Sequence, residues 1–174
     1  TRTFHLAVES AVAAKMDYYI QTSVNYQVQV QADGQAYVST TLTAKNNAPR
    51  NAKPSYALGP DHTNSFSPGQ YVSRTYLWSP RGSIVAGGIS ESGLVVNPTS
   101  FTLYPGQSTT VRFQTTLPHA VKDGKLVLHF IPQGLIRPQH TSISVSGDGV
   151  RFDGPTQRSW SSSKQVTYSV GVSS

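Results

Sequence analysis

The sequence predicts an all-β sandwich, and three observations predict it. Apolar and polar residues alternate with period two over long stretches, as in Val24, Tyr26, Val28 and Val30 against Asn25, Gln27 and Gln29. Turn pairs such as Asp33-Gly34, Pro105-Gly106 and Asp123-Gly124 punctuate the chain at intervals suited to short strands. Only 13% of the 174 residues are charged, about half the globular average, so solubility rests on Ser, Thr, Gln and Asn. Roughly eight to ten strands at this spacing make a sandwich. A chain of this length buries about 70% of its unfolded surface, enough for one core without crosslinks. One domain spanning 1–174 is expected, with a strand and a short helix in 1–22 and the sandwich proper in 23–174.

From the amino end, Phe4, Leu6 and Val8 alternate as in a strand. Glu9 to Ile20 is a helix candidate of one to three turns. Ser10 can cap it, and Ala11, Ala13, Ala14, Lys15 and Met16 favour helix. The strand through Val30 then turns at Asp33-Gly34, where glycine accepts the positive φ a tight hairpin needs. It returns with Ala36, Val38, Thr40, Leu42 and Ala44 on one face. Residues 46 to 69 hold Asn46-Asn47, Pro49, Pro54, Gly59-Pro60 and Pro68-Gly69, which break helix and ladder alike. A strand from Tyr71 to Trp78 is closed by Pro80 and Gly82. Two short apolar segments follow, Ser83–Val85 and Leu94–Val96. The last strands are Leu126 to Ile131, Thr141 to Val145 and Val166 to Val172.

Two resemblances add to this reading. Residues 97–113 run as a strand, a Tyr104-Pro105-Gly106-Gln107-Ser108 turn, and an alternating strand. That pattern resembles bacterial immunoglobulin-like surface domains, and the likeness implies two neighbouring antiparallel strands joined by a tight turn. The run Val12 to Ile20 resembles the carboxy-terminal part of the DUF4012 family, its sharpest element being Lys15-Met16-Asp17-Tyr18-Tyr19. Asn46-Asn47-Ala48-Pro49 and Tyr76 to Gly82 carry the same likeness, which covers about residues 4 to 131. Such proteins resemble membrane-anchored proteins of Gram-positive actinobacteria with most of the chain outside the cell. The family has no established activity and supplies no catalytic residues. The resemblance implies an extracellular fragment of a longer chain, as does an opening that starts directly on a strand pattern.

Bulk properties exclude several chemistries. There is no cysteine, hence no disulfide, no Cys-ligated zinc and no thiol nucleophile. The formal charge is +6, but the basic residues are scattered. The closest groupings are Lys122 with Lys125 and Arg50 with Lys53, so nucleic-acid binding is not expected. Attraction to an anionic cell wall fits the charge better. No stretch reaches the roughly 18 apolar residues of a membrane span, so contact with a membrane is expected only through a segment upstream of this chain.

Catalytic patterns are sparse. Of the eight acidic residues, Asp33, Asp61, Asp123, Asp148 and Asp153 sit beside Gly or Pro in expected turns. Glu9 and Asp17 alone lie outside turns and near each other, two turns apart if the segment is helical. His5, His62, His119, His129 and His140 show no His-x-His or His-x-x-x-His spacing. Asp61-His62 is the best local ligand pair, with a solvated loop as its simpler reading. Gly87-Gly88 lacks the Lys and Ser/Thr of a phosphate loop, and Ser146-Gly147-Asp148-Gly149 lacks the alternating acids of a calcium loop. No metal or cofactor is expected. A Lys–Asn isopeptide bond would need a buried lysine, and Lys15 and Lys45 are the most embedded in patterned segments.

Aromatic residues leave the most specific candidates. Nine tyrosines and two tryptophans stand out in so lightly charged a chain. Tyr26, Tyr76 and Tyr168 fall at expected core positions. Trp78, with Arg81 just beyond it, ends a strand. Trp160, beside Arg158, falls in a Ser-rich loop. These four are the candidate binding residues, with a plug over the sandwich end as the simpler role for Trp160. The leading expectation is a non-catalytic extracellular module, a scaffold or protein-interaction unit, whose partner is a cell-wall component or another surface protein. A carbohydrate-binding module is the second reading and an enzyme the third. A coplanar exposed aromatic row would favour the second; burial of both tryptophans would favour the first.

Overall fold

The computed structural model describes residues 2–11, 14–59, 66–134 and 137–174. Two sheets pack face to face over one apolar core. In chain order the strands are β1 (Thr3–Ser10), β2 (Ile20–Val30), β3 (Ala36–Asn46), β4 (Tyr71–Ser79), β5 (Ile89–Glu91), β6 (Leu94–Leu103) and β7 (Ser108–Leu117). Then follow β8 (Val121–Lys122), β9 (Lys125–Ile131), β10 (His140–Gly147), β11 (Arg151–Asp153), β12 (Gln157–Ser161) and β13 (Val166–Ser173). The large sheet runs β11-β13-β9-β1-β4-β6-β5, with β8 hairpinned onto β9. The small sheet runs β12-β10-β2-β3-β7.

The β2–β3 hairpin is the clearest product of local sequence. Its inward residues, Val24, Val28 and Val30 opposite Leu42, Val38 and Ala36, are all buried. Gly34 takes φ +80°, and the Asp33 carboxylate accepts the Gln35 amide at 2.9 Å, which closes the turn. Tyr26 stacks into the core against Phe4 and Phe130, with ring centroids 5.6 and 4.6 Å away. Burial pushes its phenol well above the ordinary value, as expected for a hydroxyl surrounded by hydrocarbon.

Four expectations need correction. The helix expected over Glu9–Ile20 is, among the described residues, one 3-10 turn at Met16–Tyr19, because Glu9 and Ser10 extend β1. Pairing with β4 through Ser10↔Ser73 outweighs the helix preference of the alanines that follow. The pairing is mixed, not purely antiparallel: β1 runs parallel to β9, and β2 parallel to β10. Residues 97–113 do not form a hairpin. β6 pairs with β4 and β5 in the large sheet, while β7 pairs with β3 in the small one, so Pro105-Gly106 carries the chain from sheet to sheet. Trp160 lies in edge strand β12, where Thr141↔Trp160 and Ile143↔Arg158 are in register.

Side chains complete what the ladders leave open. Pro132 follows the end of β9, and Gln133 takes over as the partner of β1. Its amide accepts from the Val8 N–H at 2.7 Å and donates to the Val8 carbonyl at 2.8 Å, as a neighbouring peptide would.

Candidate functional site

Alternation along β4 sends Tyr71, Ser73, Thr75, Leu77 and Ser79 into the core. Tyr76 and Trp78 therefore point outward, and Tyr76 is not the core residue its strand position suggested. Register then assembles a row across the solvent face of the large sheet. Ile131 on β9 is level with His5 on β1, His5 with Trp78 on β4, Trp78 with Val96 on β6, and Val96 with Ile89 on β5. Ala7, Tyr76 and Pro98 form the next row. The His5 and Trp78 rings lie 5.2 Å apart and tilted by 32°; Tyr76 and Trp78 lie 5.3 Å apart and tilted by 39°. Trp78 is half-buried by these neighbours, whereas Ile131 and Ile89 are 43% and 60% exposed.

The result is an apolar band on a surface that sandwich domains ordinarily keep polar. Arg81 is exposed at its β5 end, where its side chain lies alongside Gly93 of the β5–β6 turn. At the other end of β4, Arg74 opposite Glu9 returns the face to charge. The chain between β4 and β5 leaves this sheet, pairs Ile84 with Thr116 of β7, and comes back. Arg81 and Trp78 thus belong to one corner of the molecule.

Arg158 and Trp160 belong elsewhere. The Trp160 ring packs 5.3 Å from Phe130 and joins the core from the open edge of the small sheet. The Arg158 guanidinium lies 5.8 Å from the Trp160 ring centre and donates at 2.9 Å to the Thr167 carbonyl of β13. It thereby ties the edge of one sheet to the other. Trp160 packs against the core from a sheet edge and not over an end of the sandwich, and Trp78 is the tryptophan on the solvent side.

A second concavity, of about 610 Å³, opens beside the 3-10 turn and is lined by Lys15, Asp17, Tyr18, Tyr19 and Ala57. The Lys15 ammonium sits 5.0 Å over the Tyr56 ring, and Arg137 sits 5.7 Å over Tyr18. Burial holds the Asp17 carboxyl above its ordinary value; the hydrogen bond from Tyr71 opposes this and the charge of Glu9 adds to it. The end of β1 adjoins the 3-10 turn, so Glu9 and Asp17 belong to neighbouring elements and do not lie two turns apart on a helix. Glu9 is exposed, so the arrangement is one half-buried acid held by a tyrosine. Lys15 and Lys45 are both exposed. Neither meets the burial that an isopeptide crosslink requires.

Among the described residues, no group of three or more His, Asp or Glu side chains gathers to hold a metal ion. Asp61-His62 lies outside the described residues. Sequence reasoning named Trp78 and Arg81 but missed His5, Ile131, Val96 and Ile89. Those four reach Trp78 only through register between strands distant in the chain. Alternation in β1 carried a partial signal, since Phe4, Leu6 and Val8 inward force His5 and Ala7 outward.

No protein-family model matches the chain, and no curated protein matches it.

Proposed function

We propose that this chain is a non-catalytic module of an extracellular cell-envelope protein, acting as a scaffold or protein-interaction unit. The observation that carries the reading is the apolar row Ile131–His5–Trp78–Val96–Ile89 on the solvent face of the large sheet. Ile131 and Ile89 at its ends are exposed, His5 and Trp78 are half-buried and Val96 is covered; apolar side chains left open on the outer face of a sheet mark a contact surface. Its centre is a tryptophan flanked by a tyrosine, the residue types that dominate interface energetics. Aliphatic side chains at both ends suit the side chains of another protein.

Kinship with immunoglobulin-like domains and with the DUF4012 family belongs to the same proposal. The two packed sheets support the first, within a fold in which β1–β9 and β2–β10 pair in parallel. The low charge content supports a surface location.

The carbohydrate reading has one observation in its favour, the three-ring cluster of His5, Trp78 and Tyr76. Tilts of 32° and 39° break the flat platform that sugar stacking favours. The test uses a Trp160→Phe variant, which leaves Trp78 as the sole tryptophan. A photo-crosslinking residue at Ile131 of the full-length protein in its native envelope is expected to capture a protein partner, and Trp78→Ala to abolish capture. Fluorescence of Trp78 is expected to stay flat during titration with cell-wall glycans. A saturable glycan-induced shift that survives salt would transfer the site to the carbohydrate reading.

A further inference from the structure

The opposite face of the molecule carries a different kind of surface. On the solvent side of the small sheet, β10 presents Ser142, Ser144 and Ser146, and β2 presents Asn25, Gln27 and Gln29 in parallel register beside them. The serines are short and the amides long, so β10 becomes the floor of a groove and β2 its wall. Gln157 on β12, level with Ser144, raises the other side. Two shallow depressions meet at Ser144: one of about 460 Å³ lies between β2 and β12, and one of about 310 Å³ continues from Ser146 across Gln27 and Gln29 to Tyr37 and Ser39 of β3 and Gln114 of β7. From Ser142 to Ser146 the floor runs about 13 Å, at two residues per outward side chain.

No acid or base lies on the floor or on the β2 wall, although the chain as a whole carries +6. Arg158 touches one rim only. Every floor and wall side chain can both donate and accept hydrogen bonds. Among the described residues lining the two depressions Tyr37, level with Gln29, is the one aromatic; the clustered anchors on which protein interfaces centre are absent from this lining, as is a cluster of cations that would select an anion.

We infer that this serine-floored groove binds an extended neutral polysaccharide. A sugar chain presents hydroxyls that donate and accept along its whole length, and it carries no charge to be met. The groove offers the same chemistry in a line. Binding here is independent of the Trp78 band, because the two surfaces lie on opposite sheets.

Native affinity electrophoresis in gels containing soluble neutral polysaccharides (dextran, galactomannan and mixed-linkage β-glucan) tests it, with polygalacturonate as the anionic control. Retardation by at least one neutral polymer, insensitive to added salt, is expected. Ser144→Glu is expected to abolish it by placing a charge on the floor. Gln27→Ala should weaken it by up to about tenfold, the loss of one or two net hydrogen bonds. Trp78→Ala should leave it unchanged. The inference fails if no neutral polymer retards the protein, if only polygalacturonate does, or if retardation persists in Ser144→Glu. Loss of retardation in Trp78→Ala alone would move sugar binding to the large sheet and overturn both this inference and the protein-contact reading of that band.

Discussion

The side-chain amide of Asn46 donates a 3.0 Å hydrogen bond to the backbone carbonyl of Leu103, the last residue of β6. Asn46 ends β3 in the small sheet, so this bond spans the two layers. The same nitrogen donates to the Gly69 carbonyl at 2.8 Å, and the side-chain oxygen accepts the Ala48 amide at 2.9 Å. Its backbone exchanges two further bonds with Gly106 and Gln107 of the inter-sheet connection. The residue is fully buried, and its satisfied amide explains why a polar side chain is tolerated there.

Asn46→Asp is therefore expected to be severe. An aspartate cannot donate to the two carbonyls, and a charge would be buried beside them. A loss of about 2–4 kcal/mol is expected. Urea unfolding checks it: the midpoint should fall with little change in slope. A variant as stable as the parent would show that the inter-sheet connection does not depend on this side chain.

The Asp17 carboxyl makes stability depend on pH in the less common direction. Its folded pKa lies above the ordinary value of 3.8, chiefly through burial. Across the window between those two values the folded chain holds more protons than the unfolded chain. Its contribution to stability is therefore greatest below 3.8 and declines as pH rises through the folded value. Asp17→Asn keeps an acceptor for the Tyr71 hydroxyl, 3.1 Å away, and has no charge to desolvate. Urea midpoints from acid to neutral pH should show the parent losing stability in that window and the variant losing less. Tyr71→Phe should steepen the parent's dependence, because the bond from Tyr71 favours the ionised acid. Parallel curves for parent and Asp17→Asn would refute the assignment.

These examples show what the sequence made legible. Period two fixed the faces of β2 and β3, because each residue's side follows from its immediate neighbours; on β4, where Ser73, Thr75 and Ser79 face the core, hydropathy misplaced Tyr76. The hairpin at Asp33-Gly34 was equally local. Parallel pairing of β2 with β10 was not, since 117 positions separate Asn25 from Ser142 and no local pattern encodes that choice. Pro105-Gly106 looked like a hairpin because tight reversals share turn chemistry whether the next strand joins the same sheet or the facing one. Trp160 read as loop because Ser159 and Ser161 flank it, yet serines suit the solvent side of an edge strand. The Trp78 band was half visible: one strand could be read, but the four that complete it meet only in the fold.

The two tryptophans should respond differently to truncation. Trp160, partly buried, packs on Phe130 against the core, and Trp160→Ala should cost about 2–3 kcal/mol through lost burial and the cavity left behind. Trp78 packs on the outer face against His5 and Tyr76, and Trp78→Ala should cost about 1 kcal/mol or less, in the range of a cross-strand pair. Thermal unfolding of both variants checks the contrast. Equal losses would mean that Trp78 is a structural element of the large sheet, and the contact surface would lose its central residue.

Gly147 closes β10 where it pairs with Val30 of β2. A methyl group placed there would meet Val150 Cγ2 at 2.2 Å, the Val30 carbonyl oxygen at 2.9 Å and the Phe152 ring at 3.1 Å. Its φ is not positive, so steric crowding and not torsional strain sets the requirement. Gly147→Ala should therefore destabilise by about 1–3 kcal/mol, the range for overpacking. Val150→Ala removes the Cγ atom responsible for the closest approach but leaves the Val30 carbonyl in place. The double variant Gly147→Ala/Val150→Ala should accordingly recover part, not all, of the loss beyond what the singles sum to. Gly124 provides the contrast: its φ is +69° and only the Val172 carbonyl, at 3.6 Å, lies near the added methyl. Its alanine variant should suffer from backbone strain of about 1–2 kcal/mol, with no relief from trimming a neighbour. A double-mutant cycle with zero coupling between positions 147 and 150 would show that the strand end relaxes instead of clashing.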